Sequence, residues 1–235
     1  MKIGIIGAMV EEVSELKASL QDAKVTKIAR MEFCEGSFGN TDVVVVQSGI
    51  GKVNAAACAQ ILINHFGVTH VMNTGVAGSL NSKIDIGDIV VSTDAMYHDV
   101  DATVFGYAKG EVPQVGTASF VADEMLRRAA VEAVKEAAPD IHVFEGRVVS
   151  GDQFISSREV KNNIRDTFQG DCTEMEGAAI AQVAYINEVP FVIIRAISDK
   201  ADDSGQEAYD VFEKKAAMHC AHVVEYMISH LPSLA

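Results

Sequence analysis

The sequence predicts an α/β fold: a single-domain three-layer α/β/α sandwich with a mixed central sheet, one domain over residues 1–235. Two observations carry this. Short apolar runs of strand length alternate with longer stretches of helical periodicity, the pattern of a sheet between helical layers. One tight-turn signal, Gly39-Asn40, interrupts the alternation and makes the sheet mixed rather than wholly parallel. No repeat, low-complexity tract or linker divides the chain.

The elements follow in order. Residues 2–7 read as a short buried strand, and from Met9 to Leu20 the apolar positions Val13, Leu16 and Leu20 recur at helical spacing. Residues 31–38 and 42–48 read as a hairpin across Gly39-Asn40. Gly49 and Gly51 lead into an Ala-rich helix over roughly 52–65, and residues 68–73 form a strand that ends in Thr74-Gly75-Val76-Ala77-Gly78. A strand over 89–92 precedes an aperiodic segment, Tyr97 to Gly116, with the marks of a long functional loop. Then come a helix over 122–138, a strand over 141–150, a helix over 157–168, a short strand near 171–175, a small-residue helix over 177–187, a strand over 191–197 and a terminal helix over roughly 207–231.

Composition narrows the class of partner. With 19 Lys and Arg against 33 Asp and Glu, the formal net charge is −14, which argues against nucleic-acid and anionic-membrane partners. Hydrophobic residues at 49% with 4 Pro describe a packed globule, not a disordered chain. The widely spaced Cys34, Cys58, Cys172 and Cys220 fit no zinc framework and read as buried reduced thiols of a cytoplasmic protein. The apolar opening is cut short by Glu11-Glu12, so it is read neither as a signal peptide nor as a membrane span, and a soluble protein is expected.

In open α/β sheets ligands bind beyond the carboxyl ends of the strands. Beyond these strand ends lie Gly7-Ala8-Met9 with Glu11-Glu12, Ser48-Gly49-Ile50-Gly51, Asn73 to Gly78, Ser150-Gly151-Asp152-Gln153-Phe154-Ile155, Glu174-Met175-Glu176, and Arg195 with Ser198-Asp199. Each piece has a plainer reading. Glu11, Glu12 and Glu176 stand at helix starts, where the macrodipole favours acids, and Asp199 suits a loop cap. Glycines at strand ends serve turn geometry. Isolated caps need not converge on one edge of one sheet, however, and these are expected to. Arg195 lies inside an apolar strand and needs an anionic partner if buried, with Glu12 at the same edge as the candidate.

Other constellations fall short. The first strand lacks the complete glycine fingerprint of a dinucleotide site. His219 with His222, and His98-Asp99 with Asp101, lack a completing metal ligand. Neither a nucleophile elbow nor an HExxH helix is present. Acids without a metal suit cleavage of a glycosidic bond, whose oxocarbenium-like transition state carboxylates stabilise. One carboxylate activates water; another, kept protonated, assists a leaving group such as a purine, with Phe154 placed to stack on it. A phosphate nucleophile would be repelled by Glu12, so water is the expected nucleophile.

Taken together, Ile5-Ile6-Gly7-Ala8-Met9 with Glu11-Glu12, Ser48-Gly49-Ile50-Gly51-Lys52-Val53-Asn54, Asn73-Thr74-Gly75, Ser150-Gly151-Asp152, Glu174-Met175-Glu176-Gly177-Ala178 and Arg195-Ala196-Ile197-Ser198-Asp199 occur in order over nearly the whole chain. They resemble the bacterial 5′-methylthioadenosine/S-adenosylhomocysteine nucleosidases of the purine nucleoside phosphorylase superfamily. The resemblance implies hydrolysis of the adenine–ribose bond of small-molecule adenine thionucleosides, in methionine salvage, with no cofactor and no metal. By matching position, Glu12 is implied as the base that activates water with help from Arg195, and Asp199 as the acid that protonates adenine, oriented by Ser198. Glu176 would hold the ribose hydroxyls, with Met175 packed on the sugar and Gly78 at the same edge. Phe154 would stack on adenine while the Ile155 backbone reads its edge, and Met9, Ile50 and Tyr209 would line the 5′-alkylthio pocket. A homodimer with shared active sites is implied, Phe105, Tyr107 and Pro113 completing the neighbour's pocket.

Two positions depart from the family pattern. Val76 stands where many members carry a serine that helps place the water, which bears on rate rather than fold; Tyr209 stands where Phe is common, and its hydroxyl needs a partner or an exit to solvent. Two alternatives remain open at this point: a phosphate-dependent purine nucleoside phosphorylase on the same fold, and a non-catalytic nucleoside-binding protein.

Overall fold

A computed structural model describes residues 1–234. The chain opens with strand β1 (Lys2–Gly7), helix α1 (Val10–Ala18) and a three-stranded meander, β2 (Gln21–Ile28), β3 (Met31–Phe38) and β4 (Thr41–Gln47). There follow α2 (Lys52–Phe66), β5 (His70–Ser79), β6 (Ile89–Tyr97), β7 (Phe120–Val121), α3 (Glu124–Ala137) and β8 (Val143–Ser150). The last elements are α4 (Arg158–Phe168), β9 (Cys172–Glu174), α5 (Gly177–Ile186), β10 (Phe191–Asp199) and α6 (Gly205–Leu234).

The mixed sheet runs β10-β6-β8-β9-β5-β1-β4-β3-β2, with β7 on the edge of β6. β1 pairs parallel with both β4 and β5, the meander is antiparallel, and β6 pairs antiparallel with β10. Helices α2 and α5 cover one face through Ala55, Leu62, Ala178 and Ile180; α1, α3 and α6 cover the other through Leu16, Leu126 and Val224. The expected three layers are therefore present. In addition β10 pairs parallel with β5 and closes β10-β6-β8-β9-β5 into a small barrel. Closure brings the ends of β5, β9 and β10 against one another, which places the site.

Several elements differ from the sequence expectation, among them β6, which runs to Tyr97 rather than Ser92, and the unpredicted β7. β2 was not foreseen: it is an edge strand, mostly exposed, so neither face carries an apolar alternation. Its turn into β3 is Ala29-Arg30, both left-handed (φ 49° and 66°), a conformation that Asn and Gly ordinarily mark. β5 does not stop at Asn73 but runs on to Ser79, carrying the Thr74–Gly78 stretch inside the strand, paired with β10. The four cysteines are free and buried, as expected. Among the described residues no helix is long and apolar enough to cross a membrane.

Candidate active site

The ends of β5, β9 and β10, the start of α1 and the turns after β4 and β8 enclose a cavity of about 320 Å³, within the size range of small-molecule sites. Four carboxylates line it: Glu12, Glu174, Glu176 and Asp199, each nine-tenths or more buried. Its walls are otherwise largely apolar, with Met9, Ile50, Val76, Phe154, Met175 and Tyr209.

Glu12 lies in the first turn of α1, and part of its helix-capping reading holds: Oε2 accepts the N–H groups of Ala8 (2.6 Å) and Met9 (3.1 Å). Its other oxygen, Oε1, leaves the helix and accepts the Val76 N–H at 3.0 Å. That approach requires Gly75. A Cβ there would lie 2.2 Å from Glu12 Oε1 and 2.4 Å from Arg195 Nη1, so only a glycine lets the strand pass this close to both. Burial pushes the Glu12 pKa up; the charge of Arg195 and the three N–H bonds pull it back without cancelling the rise.

Arg195, in the middle of β10, is wholly buried. Glu12, the partner expected from the sequence, does form an ion pair with it, but is not its nearest anion. Glu12 stands at 3.9 Å, while the close contact of Nη2 is with Glu174 Oε2, and the same nitrogen donates to Asn73 Oδ1. In the sequence Glu174 stands out only as part of the Glu174-Met175-Glu176 motif. It also accepts the N–H groups of Glu176 (3.2 Å) and Gly177 (2.7 Å), so it, not Glu176, caps α5. Ser150 donates its hydroxyl to the other Glu174 oxygen. Burial works against the charge on Arg195, but Glu174, Glu176 and Glu12 around it push its pKa up, so it stays a cation.

Relieved of the capping role, the Glu176 carboxylate faces the cavity and accepts the Gly51 N–H at 2.9 Å. Burial, with the neighbouring Glu174 charge, raises its pKa to about 7. Asp199 Oδ1 accepts the Ala201 N–H at 2.7 Å, the loop-capping bond, while Ser198 donates its hydroxyl to Oδ2 at 3.0 Å. Burial raises the Asp199 pKa, and these two bonds oppose the rise. Gly78 gives it room: a Cβ would lie 2.8 Å from Asp199 Oδ1.

Phe154, about half exposed, meets Tyr209 edge-on at 5.5 Å, and the Tyr209 hydroxyl finds its partner in Met9 Sδ at 3.2 Å. Of the sequence-predicted residues, Glu12, Asp199, Met9, Ile50, Gly78, Phe154, Met175, Glu176, Ser198 and Tyr209 line the cavity. Arg195 lies directly behind it, bonded to Glu174. The Ile155 side chain is instead packed in a core cluster with Met96, Ile164 and Phe168. Phe105, Tyr107 and Pro113 sit on the loop between β6 and β7 and are not part of this chain's cavity wall.

Comparison with known proteins gives consistent results. The family model described as Phosphorylase superfamily matches residues 2–229. A protein of Halalkalibacterium halodurans named 5′-methylthioadenosine/S-adenosylhomocysteine nucleosidase is 43% identical over 231 residues, covering 98% of this chain and 99% of its own. The structure of the nucleosidase of that name from Neisseria meningitidis, in complex with methylthio-immucillin-A, superposes with a TM-score of 0.94 at 40% identity, covering 97% and 98% of the two chains. Futalosine hydrolase of Helicobacter pylori superposes with a TM-score of 0.91 at 34% identity, covering 98% of each chain.

Proposed function

The chain belongs to the phosphorylase superfamily and, within it, to the 5′-methylthioadenosine/S-adenosylhomocysteine nucleosidases, which makes it an N-glycosidase; on that premise we propose how its own residues act and on what. The substrates are 5′-methylthioadenosine and S-adenosylhomocysteine, with 5′-deoxyadenosine as a further one. The products are adenine and the 5-thio-ribose, a step of methionine salvage, or adenine and 5-deoxyribose where 5′-deoxyadenosine is the substrate. The observation that carries water, rather than phosphate, as nucleophile is the charge of the cavity: among the described residues four carboxylates line it and no Lys or Arg does. Arg195 behind them is already bonded to Glu174 and Asn73. A phosphate dianion would lie against the Glu12 carboxylate with the Arg195 guanidinium already engaged by Glu174.

In this reading Glu12 accepts a proton from water as its oxygen attacks the anomeric carbon. Its backbone N–H bonds fix the carboxylate, and Arg195 stabilises its ionised form. Asp199, whose pKa burial raises, gives a proton to the adenine ring nitrogen as the glycosidic bond breaks, and Ser198 fixes its rotamer. Glu176 accepts the ribose hydroxyls with Met175 against the sugar, Phe154 stacks on the base, and the Ile155 backbone reads its edge. Met9, Ile50 and Tyr209 bound the 5′ substituent. No metal or cofactor takes part, and the partners are the small substrates rather than nucleic acid or membrane. Two copies form a homodimer in which Phe105, Tyr107 and Pro113 of each complete the other's pocket; Phe105, four-fifths exposed on its own chain, suits that role. The buried free thiols suit a reducing cytoplasm. Turnover of 5′-methylthioadenosine in ¹⁸O-water is the test: the label is expected at the anomeric hydroxyl of the sugar, and label-free sugar would overturn hydrolysis by solvent.

A further inference from the structure

Beside the cavity, one cluster ties together three loops that serve it. Asp99 lies two residues past the end of β6, and its side chain is only 15% exposed. Its Oδ2 accepts from Lys52 Nζ at 2.6 Å and from the Asp152 N–H at 3.0 Å. Asp152 Oδ1 in turn accepts the Lys52 N–H at 2.8 Å, which joins the turn after β4 to the turn after β8. The Lys52 ammonium also lies over the Tyr97 ring, 5.3 Å from its centroid. The packing leaves no spare room. A Cβ on Gly151 would lie 2.4 Å from His98 Cε1 and 3.0 Å from Asp99 Cγ, and one on Gly51, at φ +95°, would lie 3.1 Å from Asp152 Oδ1.

Both turns carry site residues next to these bonds. Gly51, immediately before Lys52, gives the N–H on which the Glu176 carboxylate is seated, and Phe154 comes two residues after Asp152. The alternative seat for Glu176 is close: its Oε2 is 3.7 Å from Arg195 Nη2. Were the Gly51 N–H to drift, that cation would draw the carboxylate back from the cavity. Something must hold Gly51 in place, and the Asp99 cluster is built to do it.

We propose that Asp99 is a positioning residue for Glu176, acting through Lys52 and Asp152 to fix the Gly51 amide. This rests on the reading of Glu176 as the group that holds the ribose hydroxyls. Burial disfavours the charge on Asp99, but its bonds from Lys52 and the Asp152 N–H prevail and hold it below the usual carboxylate range, so it stays an anion for Lys52 throughout the neutral range. Asp99 is not one of the described residues that line the cavity. Its loss acts on binding geometry, raising KM for 5′-methylthioadenosine about tenfold with a smaller change in kcat.

A double-mutant cycle on adenine release tests this, with Asp99→Asn, Glu176→Gln and the pair; Lys52→Met serves as a second route to the same cluster. The expected result is that D99N, and K52M likewise, lowers kcat/KM about tenfold in the wild type and less than twofold once Glu176 is already Gln. An equal factor in both backgrounds, or no effect of either cluster variant, overturns the proposal while leaving the ribose reading of Glu176 intact. Wild-type kinetics in E176Q alone overturn that reading, and the proposal with it.

Discussion

Glu12 Oε1 and Arg195 Nη1 stand 3.9 Å apart, close enough to attract and too far to share a hydrogen bond. The guanidinium spends its short bonds on Glu174 and Asn73 instead. Glu12 therefore keeps acceptor capacity for a water while still feeling a fixed positive charge.

Glu12→Gln is accordingly expected to damage chemistry rather than binding. The substitution leaves one acceptor oxygen, turns an NH₂ donor toward either the Val76 N–H or the Ala8 and Met9 N–H groups, and removes the base, so kcat should fall by roughly 10²–10⁴-fold with KM changed only a few-fold. Steady-state kinetics check this, and a raised KM at unchanged kcat would make Glu12 a binding group.

Asp199→Asn is expected to abolish hydrolysis while nucleoside binding survives, because the amide is close in shape but carries no transferable proton. The wild-type rate should decline on the alkaline side as the raised Asp199 carboxyl ionises. Calorimetric binding of 5′-methylthioadenosine to the variant, beside its adenine release, separates the two effects. Near-normal turnover would remove Asp199 from the mechanism.

Glu176 predicts a pH dependence of stability. Its carboxyl rises from an ordinary 4.5 to about 7 in the folded chain, so the folded state binds the proton more tightly than the unfolded one. The contribution is thus fully present below about 4.5 and is lost as pH rises through about 7. Relative to Glu176→Gln, the wild type should lose up to about 3 kcal/mol between those limits. Denaturant midpoints of both proteins at pH 5 and pH 8 measure the difference, and a gap that does not change with pH would contradict it.

Gly75→Ala tests the close approach at the centre of the site. Its Cβ would overlap Glu12 Oε1 and Arg195 Nη1, both held by further bonds, so the site must open. Activity should fall at least about 100-fold, and the melting temperature should drop. An active, fully stable variant would show that the strand yields there.

The layered α/β architecture was legible because its buried elements are long and periodic: β1, α2 and β10 carry apolar runs that only burial explains. β2 was not, since an edge strand solvated on both faces leaves no period to read, and its turn uses Ala29-Arg30 where a glycine would have marked it. The carboxylates and Arg195 were legible as residues at strand ends, but their pairing was not. Whether Glu174 or Glu176 turns inward to Arg195 depends on barrel closure between β5 and β10, a contact between segments over a hundred residues apart. The long extension of β5 was masked by its glycines, which in sequence mark turns and here make space for Glu12 and Asp199.

The most direct test of the central claim is free adenine released from 5′-methylthioadenosine by the wild-type protein, followed chromatographically with and without added phosphate. The four-carboxylate cavity predicts equal release in both, with free methylthioribose as the second product. Release that requires phosphate and yields a sugar 1-phosphate would contradict it, and so would tight binding with no adenine released, which would place the fault at Val76.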